Sequence, residues 1–257
     1  MACLITGSVN VWPFQKKEPE REMVPALFMH IQKTAGTSIV EIAKQHYGDK
    51  NIVSHGDYLG RKPEDLSDKL FISGHFGYEY AEPLLSSRYS FTFLRDPVER
   101  VLSFYYFCRT KEPNEHSIYR IAQSSGLESF LRAGIREPSV RAYILNNQVW
   151  QLAHGFGGEE SIAFRKFFFR PEELLDLAIM HLNKFSHIGF TETFEQDEKI
   201  VLSALRIPES EGGIRINVTE DRPAVADLSR VESMLLEELT LWDQRLYQYA
   251  WSRRIQP

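Results

Sequence analysis

Three short apolar runs constrain this chain more than any other feature, because each stops abruptly at residues that carry chemistry. Ala26 to Ile31 leads into Gln32-Lys33-Thr34-Ala35-Gly36-Thr37-Ser38, Leu70 to Ser73 leads into Gly74-His75-Phe76-Gly77, and Tyr89 to Leu94 leads into Arg95-Asp96-Pro97. Short β-compatible runs bounded by glycine, proline or charge read as buried strands. A helical pattern over Thr37 to Tyr47 follows the first run. After the third, Asp96 is placed to cap a helix with Pro97 at its first position, and Val98, Val101, Leu102, Tyr105 and Tyr106 recur at helical spacing. A fourth run, Phe185 to Phe190, lies between helical patterns over Pro171 to Leu182 and Glu195 to Leu205. Strands alternating with helices predict an α/β fold with a central, mainly parallel sheet flanked by helices. Ligands in such sheets bind beyond the carboxyl ends of the strands, so the chemistry is expected just after Ile31, Ser73 and Leu94.

The remainder of the chain frames that core. At 257 residues and 43% hydrophobic content it can bury a substantial interior, which suits one domain with insertions. We expect an arm over residues 1–24 and a single domain over 25–257, with a mostly helical insertion at about 110–170 and a long closing helix from about Val225 to Trp251. Two cysteines, Cys3 and Cys108, rule out a disulfide scaffold and show no zinc-ligand spacing, so no metal is expected. No run approaches the ~18 apolar residues of a membrane span. The charged residues Lys16 to Glu22 come after the short apolar start instead of preceding it, the wrong order for a secretory signal. A cytoplasmic protein, or a soluble domain of a larger one, is the expectation. Residues 109–170 carry 9 basic and 6 acidic side chains and residues 171–257 carry 9 and 16, so no strongly basic face marks a nucleic-acid partner.

The first loop has the makings of an anion site. A strand, a tight loop and a helix N-terminus direct unpaired backbone N–H groups and the helix dipole at a ligand. Lys33 adds a mobile positive charge, Thr34, Thr37 and Ser38 add hydroxyls, and Gly36 allows the backbone to approach a phosphate closely. Nucleoside triphosphatases place the lysine after the last glycine, as GxxxxGK[ST]; here Lys33 precedes Gly36. An ordinary strand-to-helix turn with polar caps uses the same residue types, so the loop alone leaves both readings open. In the second loop, Arg95 ends a strand and Ser103 lies about two helical turns on. A guanidinium fork and a hydroxyl suit a phosphate dianion. Asp96 reads as a helix cap, Arg100 as a surface or salt-bridge residue, and Tyr105 and Tyr106 as core. His75, at a strand end between the two loops, has the titration range of a general base. His30 and His55 are lesser candidates for that role.

Taken together, His30-Ile31-Gln32-Lys33-Thr34-Ala35-Gly36-Thr37-Ser38 and Arg95-Asp96-Pro97-Val98-Glu99-Arg100-Val101-Leu102-Ser103-Phe104-Tyr105 resemble the two nucleotide-binding loops of PAPS-dependent sulfotransferases (PAPS is 3′-phosphoadenosine 5′-phosphosulfate). The glycan-modifying branch, with the heparan sulfate 2-O- and 6-O-sulfotransferases and bacterial relatives, is the most similar. The two loops occur in the right order, ~60 residues apart. The resemblance implies a P-loop-like three-layer fold. It assigns the 5′-phosphosulfate to Lys33, Thr34, Ala35, Gly36, Thr37 and Ser38, and the 3′-phosphate to Arg95 and Ser103. Many members carry proline where this chain has Gln32. Gly74-His75-Phe76 resembles the segment whose histidine is the family's proposed base. Asn217 to Pro223 resembles the late loop that covers the nucleotide, with Arg222 as its contact. Tyr143 to Gly155 resembles an amide-rich segment of bacterial members, in which Asn147 and Gln148 hold a loop, touch the acceptor or simply satisfy backbone groups.

The activity implied by the resemblance is transfer of a sulfuryl group from PAPS to a hydroxyl, with His75 as base, Lys33 countering charge on the leaving phosphate and 3′,5′-adenosine bisphosphate as product. The acceptor is left as a saccharide, a lipid, a carrier-bound acyl chain or another metabolite. Two alternatives stand beside this reading: a P-loop-type nucleotide kinase or hydrolase, and a non-catalytic nucleotide-binding module. The latter would have no use for His75.

Overall fold

The alternation of strands and helices builds one five-stranded sheet whose pairings are all parallel. The computed structural model describes residues 23–155, 170–208 and 225–254. The strands are β1 (Ala26–Met29), β2 (Ile52–Val53), β3 (Phe71–Gly74), β4 (Tyr89–Leu94) and β5 (His187–Phe190), in the spatial order β2-β3-β1-β4-β5. The first strand is therefore central. It pairs with β3 from Ala26–Phe71 to Met29–Gly74, and with β4 from Ala26–Tyr89 to Phe28–Phe91. This order brings the three loops expected to carry chemistry side by side, since β3, β1 and β4 are neighbours that end at the same edge.

The helices among the described residues are α1 (Gly36–Tyr47), α2 (Tyr78–Leu85), α3 (Pro97–Arg109), α4 (Ser117–Ser124), α5 (Leu127–Arg136), α6 (Pro138–Ile144), α7 (Asn147–Ala153), α8 (Pro171–Leu182), α9 (Phe194–Ala204) and α10 (Arg230–Arg254). Strand residues alternate between the two faces, as a period of two requires. Ala26, Phe28, Phe71, Phe91 and Phe93 pack with Ile39, Val40 and Ala43 of α1 and Val201 and Leu202 of α9. Leu27, Met29, Ile72 and Leu94 face the other way, onto Ala81 of α2, Val149 and Leu152 of α7, Ala178 of α8 and Leu246 of α10. The result is the helix–sheet–helix layering expected of the α/β class. A separate core joins α3, α4, α5 and α6 through Val101, Tyr105, Ile118, Phe130 and Ile144. Helix α10 ties the cores together, with Leu235, Leu236 and Leu239 in one and Leu246 and Ala250 in the other.

The expected strands and helices are present with boundaries shifted by a few residues, except that β2 and the subdivision of the middle helices were not anticipated. Residues 1–22, most of the expected arm, lie outside the described residues, as do residues 156–169 of the expected insertion. No helix among the described residues is long and apolar enough to cross a membrane.

Candidate functional site

The first loop leaves β1 in a conformation that side chains rarely adopt. Lys33 (φ 69°) and Ala35 (φ 65°) are both left-handed. Each such non-glycine residue costs about 1–3 kcal/mol, and they concentrate in ligand-holding turns. Backbone of this kind forms anion-binding concavities. Helix α1 starts immediately at Gly36 and has no acidic residue in its first turn, so no carboxylate of that turn offsets the positive end of its dipole. Thr34 is fully buried, and its hydroxyl donates to the Ile31 carbonyl at 2.8 Å, which ties the turn internally. Ser38 is buried in the first turn of α1, and Thr37 is half-buried.

The absence of a side chain at Gly36 has a concrete cause in the protein itself. A Cβ there would lie 2.5 Å from His30 Nε2 and 2.6 Å from Phe28 Cζ. His30 is stacked on Phe28 (centroids 4.9 Å apart), and its burial, with the nearby Lys33 ammonium adding to it, holds the ring neutral. Gly36→Ala is therefore expected to destabilise the protein by about 1–3 kcal/mol, the usual cost of overpacking. Urea unfolding of the variant measures it, and an unchanged midpoint would show that the His30 ring can move aside.

His75 follows β3 and sits 4.7 Å, ring to ring, from His30. Its Nδ1 lies 2.8 Å from the His30 carbonyl oxygen. A carbonyl only accepts, so Nδ1 carries the proton, and in the neutral ring Nε2 holds the basic lone pair. Burial lowers the imidazole pKa below its ordinary value, partly opposed by that hydrogen bond and assisted by His55 and Lys33. His75 is thus a neutral base of fixed tautomer near pH 7.

The third loop is gripped from several sides. Arg95 Nη1 donates to the Lys33 carbonyl at 3.1 Å, joining the first and third loops, and Nη2 lies 3.6 Å from Glu99. Asp96 caps α3 by accepting from Glu99 N at 3.0 Å, as its sequence position predicts. Ser103, two turns along α3, is buried. One turn further, the ring of Phe107 lies 4.1 Å beneath the Lys33 ammonium. Burial, with the Arg95 charge adding to it, brings the Lys33 pKa down to about 8. A lysine, an arginine, a hydroxyl-bearing helix and a strained turn from β1 and β4 converge beside a neutral imidazole from β3. That constellation offers cationic and N–H contacts for an anion next to a base.

The sulfotransferase family profile matches residues 24–250. The chain belongs to the sulfotransferase family. No curated protein matches the sequence. Membership in a sulfotransferase family sets the nucleotide-kinase and non-enzyme readings aside, and it brings a sulfuryl donor and a hydroxyl-bearing acceptor as substrates.

In this sulfotransferase, the amide-rich segment anticipated from sequence is helix α7, and it reaches all three loops. Gln148 Oε1 accepts from Arg95 N at 3.0 Å while its Nε2 donates to Arg95 O at 2.9 Å. Gln151 Nε2 donates to the His30 carbonyl (3.2 Å) and to the Phe76 carbonyl (2.9 Å), bracketing His75. The carbonyl of His154 accepts from Glu79 N at 3.2 Å, and Gly77 packs so closely on His154 and Gly155 that a side chain there would collide with their backbone. Asn147 donates to the Ala142 carbonyl of α6, a local contact that reaches none of the three loops.

Asp243, on α10, escaped the sequence reading, as did Gln151. It is wholly buried and accepts from Gln148 N (3.2 Å) and Val149 N (2.8 Å), capping α7 from outside. Burial pushes its carboxyl up to about 6, against the pull of Arg100 and the two N–H groups. Arg100, expected at the surface or in a salt bridge, is also wholly buried: Nη2 donates to the Tyr143 carbonyl at 2.8 Å, and Asp243 is its countercharge. Arg222 and the loop from Asn217 to Pro223 lie outside the described residues. Among the described residues no group of three His, Cys, Asp or Glu side chains is placed to hold a metal ion.

Proposed function

We propose that this sulfotransferase uses PAPS as donor and transfers its sulfuryl group to an acceptor hydroxyl by in-line displacement, with His75 as general base. The observation that carries the proposal is the Nδ1 contact of His75 with the His30 carbonyl, which leaves Nε2 as the basic nitrogen beside the lysine–arginine loops. In this reading the acceptor O–H gives its proton to Nε2 as the oxygen bonds to sulfur. The sulfur–oxygen bond to the 5′-phosphate breaks, and 3′,5′-adenosine bisphosphate leaves. Lys33 and the N–H groups at the start of α1 counter the charge gathering on the departing phosphate oxygen. Arg95 and Ser103 hold the 3′-phosphate, and the bulk of the phosphosulfate rests on the turn from Lys33 to Ser38. The sugar, lipid or acyl character of the acceptor then falls to the surroundings of His75.

Titration calorimetry tests the donor half directly. Wild-type protein should bind 3′,5′-adenosine bisphosphate more tightly than AMP. Arg95→Ala should weaken the bisphosphate by about 10–100-fold, the worth of a charge-assisted contact, with little effect on AMP. Equal affinity of the wild type for the two nucleotides would remove the 3′-phosphate from the reading.

A further inference from the structure

We propose that Gln148 is a positioning residue that aims Arg95 at the donor nucleotide; this rests on the reading that Arg95 contacts the 3′-phosphate. The parallel ladder between β4 and β5 ends at Leu94–Phe190. Arg95 is therefore the first residue whose main chain has no strand beside it, yet its N–H and C=O are both hydrogen-bonded. Their partner is the carboxamide of Gln148, which copies a peptide group: Oε1 takes the N–H and Nε2 gives to the C=O. The opposite amide orientation would set donor against donor, so the two contacts fix each other. In effect a side chain lengthens the sheet by one residue at the point where Arg95 must face outward.

The neighbouring residues are fixed in the same way. Thr191 donates its hydroxyl proton to the Leu94 carbonyl at 3.2 Å, and Glu192 accepts from Asp96 N at 2.8 Å. Gln148 itself is almost fully buried, and its own N–H is held by Asp243. With its main chain clamped, Arg95 reaches across to the Lys33 carbonyl and needs little reorganisation to meet an anion between the two loops.

A residue that merely stabilised the fold would change the folded fraction without changing what the folded molecules prefer. The test is therefore the ratio of affinities for 3′,5′-adenosine bisphosphate and AMP, measured calorimetrically on wild type, Gln148→Met and Gln148→Glu. Gln148→Met keeps the side-chain length and removes both contacts; it should lower the ratio about tenfold while AMP affinity stays within about twofold. Gln148→Glu keeps the acceptor for Arg95 N but sets a carboxylate against the carbonyl, and should fall between. On the wild-type protein, the Gln148 carboxamide protons should exchange slowly and shift with the bisphosphate more than with AMP in NMR spectra, a readout that needs no variant. An unchanged ratio in a folded variant, or amide protons blind to the bisphosphate, overturns the inference while leaving the donor site intact. A wild type that does not prefer the bisphosphate overturns the donor reading itself, and the inference with it.

Discussion

Replacing His75 with alanine is expected to lower turnover by about 10²–10⁴-fold, the usual contribution of a positioned general base, while leaving 3′,5′-adenosine bisphosphate affinity nearly unchanged. The split comes from the architecture. His75 comes from β3 and makes its hydrogen bond to the His30 backbone, whereas the groups proposed to hold the anion come from the loops after β1 and β4. The pH dependence of kcat/KM carries the same signature, because it reports the free enzyme. As the proposed base His75 must be neutral, and burial sets its pKa below 6.5, so the acid limb should lie below that pH. In its proposed role against the departing phosphate Lys33 must be charged, and burial brings its pKa down to about 8, so rate should fall as pH rises through that value. A bell with its alkaline limb near 8 is the expected shape. Lys33→Arg, which stays charged, should lift that limb to higher pH. Loss of nucleotide affinity in His75→Ala equal to the loss of turnover would place the histidine in donor binding instead.

Asp243→Ala is expected to cost about 2–5 kcal/mol of stability, because each buried N–H group left without an acceptor costs about 1–3 kcal/mol. The change strands two N–H groups at the start of α7, and it leaves wholly buried Arg100 without its countercharge. Two nitrogens of Arg100, Nε and Nη1, already lack a hydrogen-bond partner, so the guanidinium has little else to fall back on. Against a typical total of about 5–15 kcal/mol the loss is large. Asp243→Asn preserves shape and one acceptor and should cost less. Denaturant unfolding decides the matter: a loss below about 1 kcal/mol for the alanine variant would mean that Arg100 is compensated by its surroundings.

The parts of the structure that were legible in the sequence are those fixed by local rules. Tyr89–Leu94 and the Asp96-Pro97 helix start are set by β-propensity and capping chemistry, which depend on a few adjacent residues. Strand β2 has only two residues and offers no pattern to read. The three site loops stood out because charge and glycine come so abruptly after apolar runs. Other meanings depended on distant partners. Gly36 reads as room for a phosphate, yet the structure shows His30 and Phe28 already filling the space a side chain would need. Arg100 has the sequence context of an exposed helical arginine, and its burial against the Tyr143 carbonyl and near Asp243 of α10 depends on segments far along the chain. Asp243 lies in a stretch of ordinary helical polarity, and nothing local distinguishes a carboxylate that caps another helix from one that faces water. Gln148 and Gln151 lay in an amide-rich stretch, but which backbone groups they serve is decided by tertiary packing.

The reach of α10 has a consequence for how the chain acquires its activity during synthesis. The central strand β1 pairs only with strands that emerge about 45 and 63 residues later, and such non-local pairings are slow to form. The contribution of α10 comes later still. Asp243 caps α7, and α7 carries the glutamines that hold Arg95 and bracket His75. A ribosome-bound chain with the sheet and all three loops already released still lacks that cap until α10 has emerged and is free to dock. The bracing of the three loops by α7 therefore trails the sheet by more than fifty residues of synthesis, so a nascent chain that has folded its strands has not yet completed the candidate site.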